Sequence, residues 1–148
     1  MSLLPRSARL ALMAALDVAL HSRARPVSSR ALAARHELPP RHLESMLQAM
    51  VRAGILKSVR GPSGGYELAK ERRRLCVGEI VRVALRAEEE ANGAESPRLL
   101  SSVIDPVFAE AERLALARLD EITLDSLHAA ALVLGFGHED AAEGDFDI

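Results

Sequence analysis

A basic, glycine-rich segment in the middle of the chain has the residue types that contact a phosphate backbone. Apolar and β-branched runs flank residues 61–65 (Gly-Pro-Ser-Gly-Gly), a pattern typical of a β-hairpin with a tight tip. Lys57 and Arg60 lead into that tip, so the hairpin is basic. Tyr66-Glu67 follows the tip where a nucleotide-binding P-loop would need Lys-Ser/Thr, which argues against such a loop. We therefore predict backbone contacts from Arg60, Gly61, Ser63 and Gly64.

The segment upstream of the hairpin predicts a helix with one apolar and one polar face. Leu43, Met46, Leu47 and Met50 follow the i, i+3, i+4, i+7 spacing of an apolar stripe. The opposite face is free to reach base edges, where Arg pairs with guanine, Gln with adenine, and Glu accepts from cytosine. An ordinary amphipathic helix with a solvated polar face is the alternative. The candidate base-reading residues are Pro40, Arg41, His42, Glu44, Ser45 and Gln48.

No other group of residues is spaced for catalysis or for metal binding. The single cysteine, Cys76, cannot form an internal disulfide or hold a metal cluster alone, and we expect it to fill half-buried apolar space. His21, His36, His128 and His138 lack metal-ligand spacing, and we expect them at the surface or at helix caps. The sequence thus predicts a protein that is not an enzyme and has no cofactor.

The two halves of the chain carry opposite charge. Residues 1–74 hold 14 Lys/Arg and 5 Asp/Glu, whereas residues 75–148 hold 5 Lys/Arg and 16 Asp/Glu, which together give the net charge of −2. A basic front half indicates a polyanionic partner. The longest apolar run, residues 10–20, is interrupted by Asp17 and is too short to span a bilayer. We expect a cytoplasmic protein without a membrane partner.

Two helices must precede the candidate base-reading helix. The apolar positions of residues 7–21 fit a buried helix, which ends before Pro26. Ser28 or Ser29 can cap a second helix to about His36, and both serines are further candidates for DNA contact. Leu38-Pro39-Pro40 forces a turn into the third helix, and Gly54 closes that helix. The order helix, helix, basic hairpin is that of a winged helix-turn-helix, with the hairpin as the wing.

The acidic half predicts further helices separated by a loop. A short strand at 75–77 and a fourth helix at 78–86 precede residues 87–101, which lack apolar periodicity and predict a mobile loop. From residue 102 to about 120 a long helix has an apolar face too broad to remain in water. Packing on its own domain is one way to cover that face, and a second copy of the chain is the favoured one. The face consists of Ile104, Val107, Phe108, Ala111, Leu114, Ala115, Leu119 and Ile122.

The hairpin and its flanks closely resemble the IscR/NsrR/BadM-like regulators of the Rrf2 family. The matching sequence is Ala-Gly-Ile-Leu-Lys-Ser-Val-Arg-Gly-Pro-Ser-Gly-Gly-Tyr-Glu-Leu-Ala at 53–69, followed by Val-Gly-Glu-Ile at 77–80. The resemblance continues at 119–127 and covers roughly residues 3–128. It implies a homodimeric bacterial transcription factor, usually a repressor, that dimerises through the long helix and binds a palindromic operator. The DNA contacts it implies are those of Arg41, His42, Glu44, Ser45, Arg60 and Gly61.

The chain departs from the best-known members of that family in one respect. Those members bind an iron–sulfur cluster through three cysteines between the fourth helix and the long helix. Residues 87–101 contain no cysteine, and a cluster held by cysteine alone needs four thiolates. We therefore expect a regulator without a cluster.

These observations predict a mainly α fold with a small β-hairpin wing, a winged helix-turn-helix plus a long C-terminal dimerisation helix. The predicted parts are a DNA-binding domain at 1–86, the mobile loop at 87–101, the dimerisation helix and a short terminal helix at 102–132, and an acidic flexible tail at 133–148. The predicted function is a homodimeric, sequence-specific DNA-binding regulator of transcription. The alternative is a winged-helix protein-interaction module that does not read DNA.

Overall fold

Helices make up most of the structure, with one small sheet near the middle of the chain. The computed structural model describes residues 3–138, which contain six α-helices and one two-stranded antiparallel sheet. The elements are α1 (Arg6–His21), α2 (Ser29–His36), α3 (Pro40–Arg52), β1 (Leu56–Val59), β2 (Gly65–Leu68), a 3₁₀ turn (Arg72–Arg74), α4 (Val77–Ala91), a π-helical turn (Leu100–Ile104), α5 (Asp105–Asp120) and α6 (Leu124–Val133). This order confirms the predicted mainly α fold with a hairpin wing. No described helix combines the length and the apolar character that a membrane crossing requires.

Helix α1 lies at the centre of the core because its buried face is built from alanine. Ala11, Ala14 and Ala15 are completely buried. Such small side chains let a neighbouring helix approach closely. Helix α4 packs against α1 and contributes larger core residues such as Ile80 and Val81.

One carboxylate, that of Asp17, lies inside this core with its side chain 2% exposed. Arg35 donates two hydrogen bonds to it, from Nε to Oδ2 at 3.0 Å and from Nη2 to Oδ1 at 2.8 Å. The Nε2 atom of His36 lies 2.6 Å from Asp17 Oδ2. Burying a charge is costly unless it is paired, and the two partners at hydrogen-bond distance belong to α2, while His21 Nε2 of α1 lies 4.0 Å from Asp17 Oδ2. The pairing therefore fixes α2 to α1.

The wing hairpin is attached to the helical core through a third segment of extended chain. The Val27 N–H donates to the Tyr66 carbonyl oxygen at 3.0 Å, and the Tyr66 N–H donates to the Val27 carbonyl oxygen at 2.7 Å. Gly65 lies at this junction, where any Cβ would overlap the carbonyl group of Val27. A glycine is required at this position because the two backbones approach so closely.

The fourth helix is longer than predicted. It runs from Val77 to Ala91 and not from 78 to 86, so the non-helical stretch is shorter than the predicted loop at 87–101. The added turn consists of alanine and glutamate, which favour helix. It is also held to α1, because the Ser7 hydroxyl donates a hydrogen bond to Glu88 Oε1 at 2.5 Å. The chain becomes helical again at residue 98, before the predicted start at 102. Most of the predicted acidic tail, residues 139–148, lies outside the described residues.

Helix α5 is joined to α4 through an ion pair at its C-terminal end. Arg82 donates two hydrogen bonds to Asp120, at 2.5 and 2.8 Å, and these hydrogen bonds lower the pKa of the Asp120 carboxyl. Gly78 faces the same carboxylate so closely that a Cβ there would overlap Asp120 Oδ1. Arg82, Asp120 and Gly78 thus hold the end of α5 against the winged-helix domain.

The predicted strand at 75–77 is wrong, because this segment forms no strand. The Leu124 N–H donates to the Leu75 carbonyl oxygen at 2.8 Å, and Cys76 forms only an isolated bridge with Thr123. Cys76 is half-buried, as predicted, but its Sγ also caps α4 by accepting a hydrogen bond from the Glu79 N–H at 3.4 Å. Cys76 Sγ also donates to Asp120 Oδ1 at 3.7 Å, so Cys76 contacts Asp120 and Thr123, two residues distant in the chain that the sequence pattern could not place beside it.

His128 is buried, which corrects the prediction of a surface or capping role. The residue is 4% exposed in α6, and its Nε2 lies 2.7 Å from Arg72 Nη1 of the 3₁₀ turn. Burial lowers the pKa of His128, Arg72 and Arg23 lower it further, and Asp125 opposes them. The neutral imidazole can accept the hydrogen bond from Arg72.

We expect His128 to make the folded chain less stable in mild acid. Its folded pKa lies below the ordinary value of 6.5, so the unfolded chain binds the proton more readily. The resulting stabilisation is complete above about pH 6.5 and is lost as the pH falls towards the folded pKa. His128→Gln keeps an acceptor for Arg72 but does not titrate. Thermal unfolding between pH 7.5 and 5.5 should show a smaller decrease in Tm for His128→Gln than for the wild type, and equal decreases would contradict this role.

Candidate nucleic-acid interface

Helix α3 presents the polar face that the sequence predicts. Leu43, Leu47 and Met50 are buried and anchor the helix. Pro39 and Pro40 set its start, and the missing proline N–H groups are not needed in a first helical turn. The six candidate base-reading residues are all exposed: Pro40, Arg41, His42, Glu44, Ser45 and Gln48.

Helix α2 and a tight turn set the direction of α3. Ser28 caps α2 by accepting a hydrogen bond from the Ala31 N–H at 3.1 Å, so Ser28 and not Ser29 is the cap. Glu37 ends α2 in the left-handed region at φ 52°, and the Leu38 N–H donates to the Ala33 carbonyl oxygen at 3.0 Å. Both serines are half-buried at the N-terminus of α2, where the unpaired N–H groups of a helix can bind phosphate.

The tip of the wing depends on two glycines. Gly61 has φ 121°, and the Gly64 N–H donates to its carbonyl oxygen at 2.9 Å. A Cβ at Gly64 would overlap the Val59 carbonyl oxygen. Arg60, Gly61 and Ser63 are exposed and Gly64 is half-buried. Backbone groups and one guanidinium group are therefore accessible to a ligand at the tip.

The charges of this surface are open to a polyanion. Within residues 3–138 neither Arg41 nor Arg60 makes an ion pair, whereas Lys57 on β1 is 3.3 Å from Glu67 Oε2 on the facing strand. Arg60 is therefore the cation of the wing that has no acidic partner. An unpaired, exposed guanidinium suits a phosphate oxygen better than a paired ammonium does.

Tyr66 of β2 lies within electrostatic reach of Glu44 on α3, a relation that the sequence analysis missed. Burial raises the pKa of Tyr66, and the nearby carboxylate of Glu44 raises it further. The phenol of β2 thus lies in the electrostatic neighbourhood of a candidate base-reading residue. The sequence did carry a signal for this position, which is the aromatic residue directly after the glycine tip. A large aromatic side chain on a hairpin is expected to pack against the body of the protein, and Tyr66 packs against the core.

The donor set of the described residues does not fit an iron–sulfur cluster. Cys76 is the single cysteine of the chain and is engaged at the N-terminus of α4. Residues 3–138 also contain no group of three or more His, Cys, Asp or Glu side chains placed to hold a metal ion. Four thiolates for a cysteine-held cluster are not available, even from two copies of the chain.

The candidate dimerisation residues fall into two groups. Ile104, Val107, Phe108 and Leu114 are exposed large apolar residues on the π-helical turn and α5. Leu119 and Ile122 pack instead against the core of their own domain. Ala111 is exposed and Ala115 is half-buried. The apolar face is thus covered at its C-terminal end and open at its N-terminal end.

Comparisons with known sequences agree with this architecture. A family model described as Rrf2, an iron-dependent transcriptional regulator, matches residues 4–130. The chain is 40% identical over 73 residues to the HTH-type transcriptional regulator IscR of Vibrio atlanticus, which covers 49% of this chain and 42% of that protein. It is 29% identical over 116 residues to Protein rrf2 of Nitratidesulfovibrio vulgaris, which covers 76% of this chain and 77% of that protein. The chain thus spans less than half the length of that IscR sequence.

Solved structures show the same fold. IscR of T. potens is 31% identical, with a TM-score of 0.66 over 86% of this chain and 87% of that one. CymR of B. subtilis, described as a global cysteine regulator, is 24% identical with a TM-score of 0.62 over 88% of this chain and 98% of that one, and this supports the fold alone. The family model covers most of the chain, and the helices and wing that it implies are present in the structure. The chain therefore belongs to the Rrf2 family of winged-helix, DNA-binding transcriptional regulators.

Proposed function

We propose that this protein is a homodimer that binds a palindromic operator through α3 and the wing tip and represses transcription. The observation that carries the proposal is the pairing of an exposed polar face on α3 with a glycine tip beside the unpaired Arg60. Arg41, Glu44 and Gln48 have the donors and acceptors that distinguish base pairs in the major groove. Arg60 and the backbone of the tip have the groups that bind phosphate.

The open apolar face supports a dimer. The π-helical turn and the first half of α5 expose several large apolar side chains in a continuous stretch, whose residues are exposed from 98 to 114. Contiguous apolar surface of this kind marks a protein interface. A second copy related by a two-fold axis would bring the same apolar surface to the contact. The same axis would then relate the two α3 helices of the dimer. Such a dimer reads half-sites about one helical turn of ~10 bp apart, or a multiple of it.

Repression is the mode that the family resemblance supports. A dimer bound at a promoter excludes other proteins from the same DNA without any chemistry of its own. Because the available donors do not fit a cluster, we propose that operator binding does not require iron or sulfide. An ultraviolet–visible spectrum of anaerobically purified protein tests this, since a visible absorption band from bound iron–sulfur would overturn it.

Selection of bound DNA from a random library, followed by titration against the selected and a scrambled sequence, tests the function. We expect preference for a pseudo-palindrome and an affinity that falls steeply with salt. Equal affinity for selected and scrambled DNA would overturn the proposal. An absence of salt-dependent binding would favour the protein-interaction alternative.

Arg60→Ala should weaken binding to all DNA sequences alike. The guanidinium contacts phosphate in this proposal, so its loss removes about one unit from the slope of log K against log salt. Lys57→Ala is the matched control, since Lys57 is already paired with Glu67 on the same hairpin. Titrations at several salt concentrations should show the slope change for Arg60→Ala and little change for Lys57→Ala. The opposite ranking would exclude Arg60 as the phosphate ligand.

Glu44→Ala should relax preference at one base pair without abolishing binding. A lost base-edge contact costs roughly 1–3 kcal/mol of discrimination at its own position. Arg52→Ala is the control because Arg52 is exposed at the other end of α3. Repeating the library selection with both variants should change the consensus at one symmetric pair of positions for Glu44→Ala alone. An unchanged consensus would assign Glu44 to the solvated face.

A further inference from the structure

Gly65 lies between two neighbouring segments of extended chain. On one side it faces Val59, its register partner on β1. On the other side it faces Val27, where a Cβ at position 65 would overlap the Val27 carbonyl group and would lie 2.7 Å from the Ser28 backbone nitrogen. These are backbone atoms, which cannot rotate away as a flexible side chain can. The next residue, Tyr66, exchanges two backbone hydrogen bonds with Val27, and we call this pair of hydrogen bonds the wing bridge.

The hairpin is attached to the core both at its root and nearer its tip. At the root, Leu56 is the first residue of β1 and is buried. The next two residues of β1, Lys57 and Ser58, are exposed. On β2 the side chain of Tyr66 packs against the core at the level of the wing bridge. The wing bridge therefore attaches the hairpin at a second point, which lies nearer the tip than the root does.

The chain on the other side of the wing bridge has an anchor of its own. Val27 is followed by Ser28, the N-cap residue of α2. Helix α2 is also held to α1, because Arg35 donates two hydrogen bonds to the buried carboxylate of Asp17. Loss of the wing bridge should therefore leave α2, and α3 which follows it, in place. The part that becomes free to move is the tip end of the wing, about its buried root.

Arg60 is the first residue beyond the Val59–Gly65 pair, so its distance from α3 depends on where Gly65 is held. A charge-assisted hydrogen bond to phosphate spans about 2.7–2.9 Å, and a shift of about 1 Å at the tip is enough to break it. We propose that Gly65 is a positioning residue for DNA binding, a role that rests on the phosphate contact of Arg60 in the proposed function. By allowing the wing bridge to form, Gly65 places Arg60 where its guanidinium group and α3 contact the same segment of DNA.

A double-mutant cycle of Gly65→Ala and Arg60→Ala tests this role, with titrations against the selected DNA well below the unfolding temperature of each variant. Arg60→Ala should weaken binding in the wild-type background but change affinity less than about twofold in the Gly65→Ala background, where the contact is already lost. An undiminished effect of Arg60→Ala in both backgrounds would overturn the positioning role and leave the phosphate contact standing. No effect of Arg60→Ala in the wild-type background would overturn the phosphate contact and the positioning role together.

Val27→Ala is the matched control, because the wing bridge consists of backbone hydrogen bonds whereas the Val27 side chain is buried in the core. This change removes core packing and lowers stability but retains both hydrogen bonds. Arg60→Ala should therefore weaken binding by its full wild-type factor in the Val27→Ala background. Loss of that factor in the control as well would show that lowered stability alone removes the contact, which would overturn the role of Gly65.

Two further measurements separate positioning from general damage to the DNA-binding surface. Gly65→Ala should reduce the slope of log K against log salt by about one unit, as Arg60→Ala does. It should leave the consensus of the library selection unchanged, because α3 keeps its anchor through α2. A changed consensus would show that α3 moves as well, which would overturn the assignment of the effect to the wing.

Amide hydrogen exchange tests the wing bridge without DNA, and in the wild type it does not depend on a variant that folds. The amides of Val27 and Tyr66 should exchange at least about tenfold more slowly than that of Ser63 in the exposed tip. In Gly65→Ala they should lose this protection, while the Ala69 amide, which is hydrogen-bonded at the root of the hairpin, should keep its own. Exchange as fast as that of Ser63 in the wild type, or unchanged protection in the variant, would overturn the proposal.

Discussion

Val107→Asp with Phe108→Asp should convert the protein into a monomer that binds its operator on the order of 100-fold or more weakly. Val107 and Phe108 are 67% and 62% exposed, so the change removes no packing from the fold of one chain. In a dimer the same positions would bring two pairs of carboxylates into an apolar contact, where unpaired charge is costly. Because a dimer binds two half-sites through one association, losing one half removes roughly a 10²–10⁴-fold avidity gain.

Sedimentation or light scattering together with DNA titration measures both parts of this result. Glu110→Ala is the control on the same helix, since Glu110 forms an exposed pair with Arg113 at 2.7 Å that contributes little to stability. We expect the control to remain dimeric with wild-type DNA affinity. A Val107/Phe108 variant that stays dimeric would show that the open face of α5 is not the interface. A monomeric variant with undiminished affinity would show that one chain suffices to bind the operator.

Asp17→Ala should produce the largest loss of stability of any single substitution considered for this chain. The carboxylate is buried and accepts two hydrogen bonds from Arg35, with His36 also in contact. Removing one partner of a buried pair typically costs about 3–5 kcal/mol, and the lower end applies because Arg35 is partly exposed. A loss of that size corresponds to roughly 10 °C in Tm for a domain of this length.

Thermal and denaturant unfolding check this expectation. Glu121→Ala is the matched control, since its carboxylate pairs with Arg118 at 2.8 Å on the open surface and should change stability by less than about 1 kcal/mol. Equal effects of the two substitutions would show that the Asp17 network does not stabilise the fold. Because α2 is held to α1 through this carboxylate, Asp17→Ala should also weaken DNA binding below its unfolding temperature.

The local elements of this protein could be predicted from the sequence because their causes are local. The apolar stripe of α3 depends on side chains three and four residues apart, and the structure buries Leu43, Leu47 and Met50 as that spacing predicts. The hairpin depends on glycines next to each other, and Gly61 has the positive φ that favours glycine. The cap at Ser28 was one of two serines that the sequence offered, and geometry selected it.

The predictions that failed concern residues whose surroundings come from distant parts of the chain. His128 is buried because the 3₁₀ turn, 56 residues earlier, brings Arg72 to it. The predicted strand at 75–77 is absent, and Cys76 forms an isolated bridge with Thr123 because α5 returns the chain to the start of α4. Asp17 looked like an interruption of an apolar run, and its hydrogen-bond partners lie 18 and 19 residues away.

The sequence by itself determined the order of helices and wing and the residues that face outward from α3, since periodicity and turn chemistry act over a few residues. It also determined the absence of four thiolates, which is a matter of composition. Only the tertiary structure decided which apolar residues of α5 are already covered by their own domain and which are open. The physical reason is a contact between distant parts of the chain. Arg82 of α4 binds Asp120, 38 residues later, and this holds the C-terminal end of α5 against the core while its N-terminal end stays open.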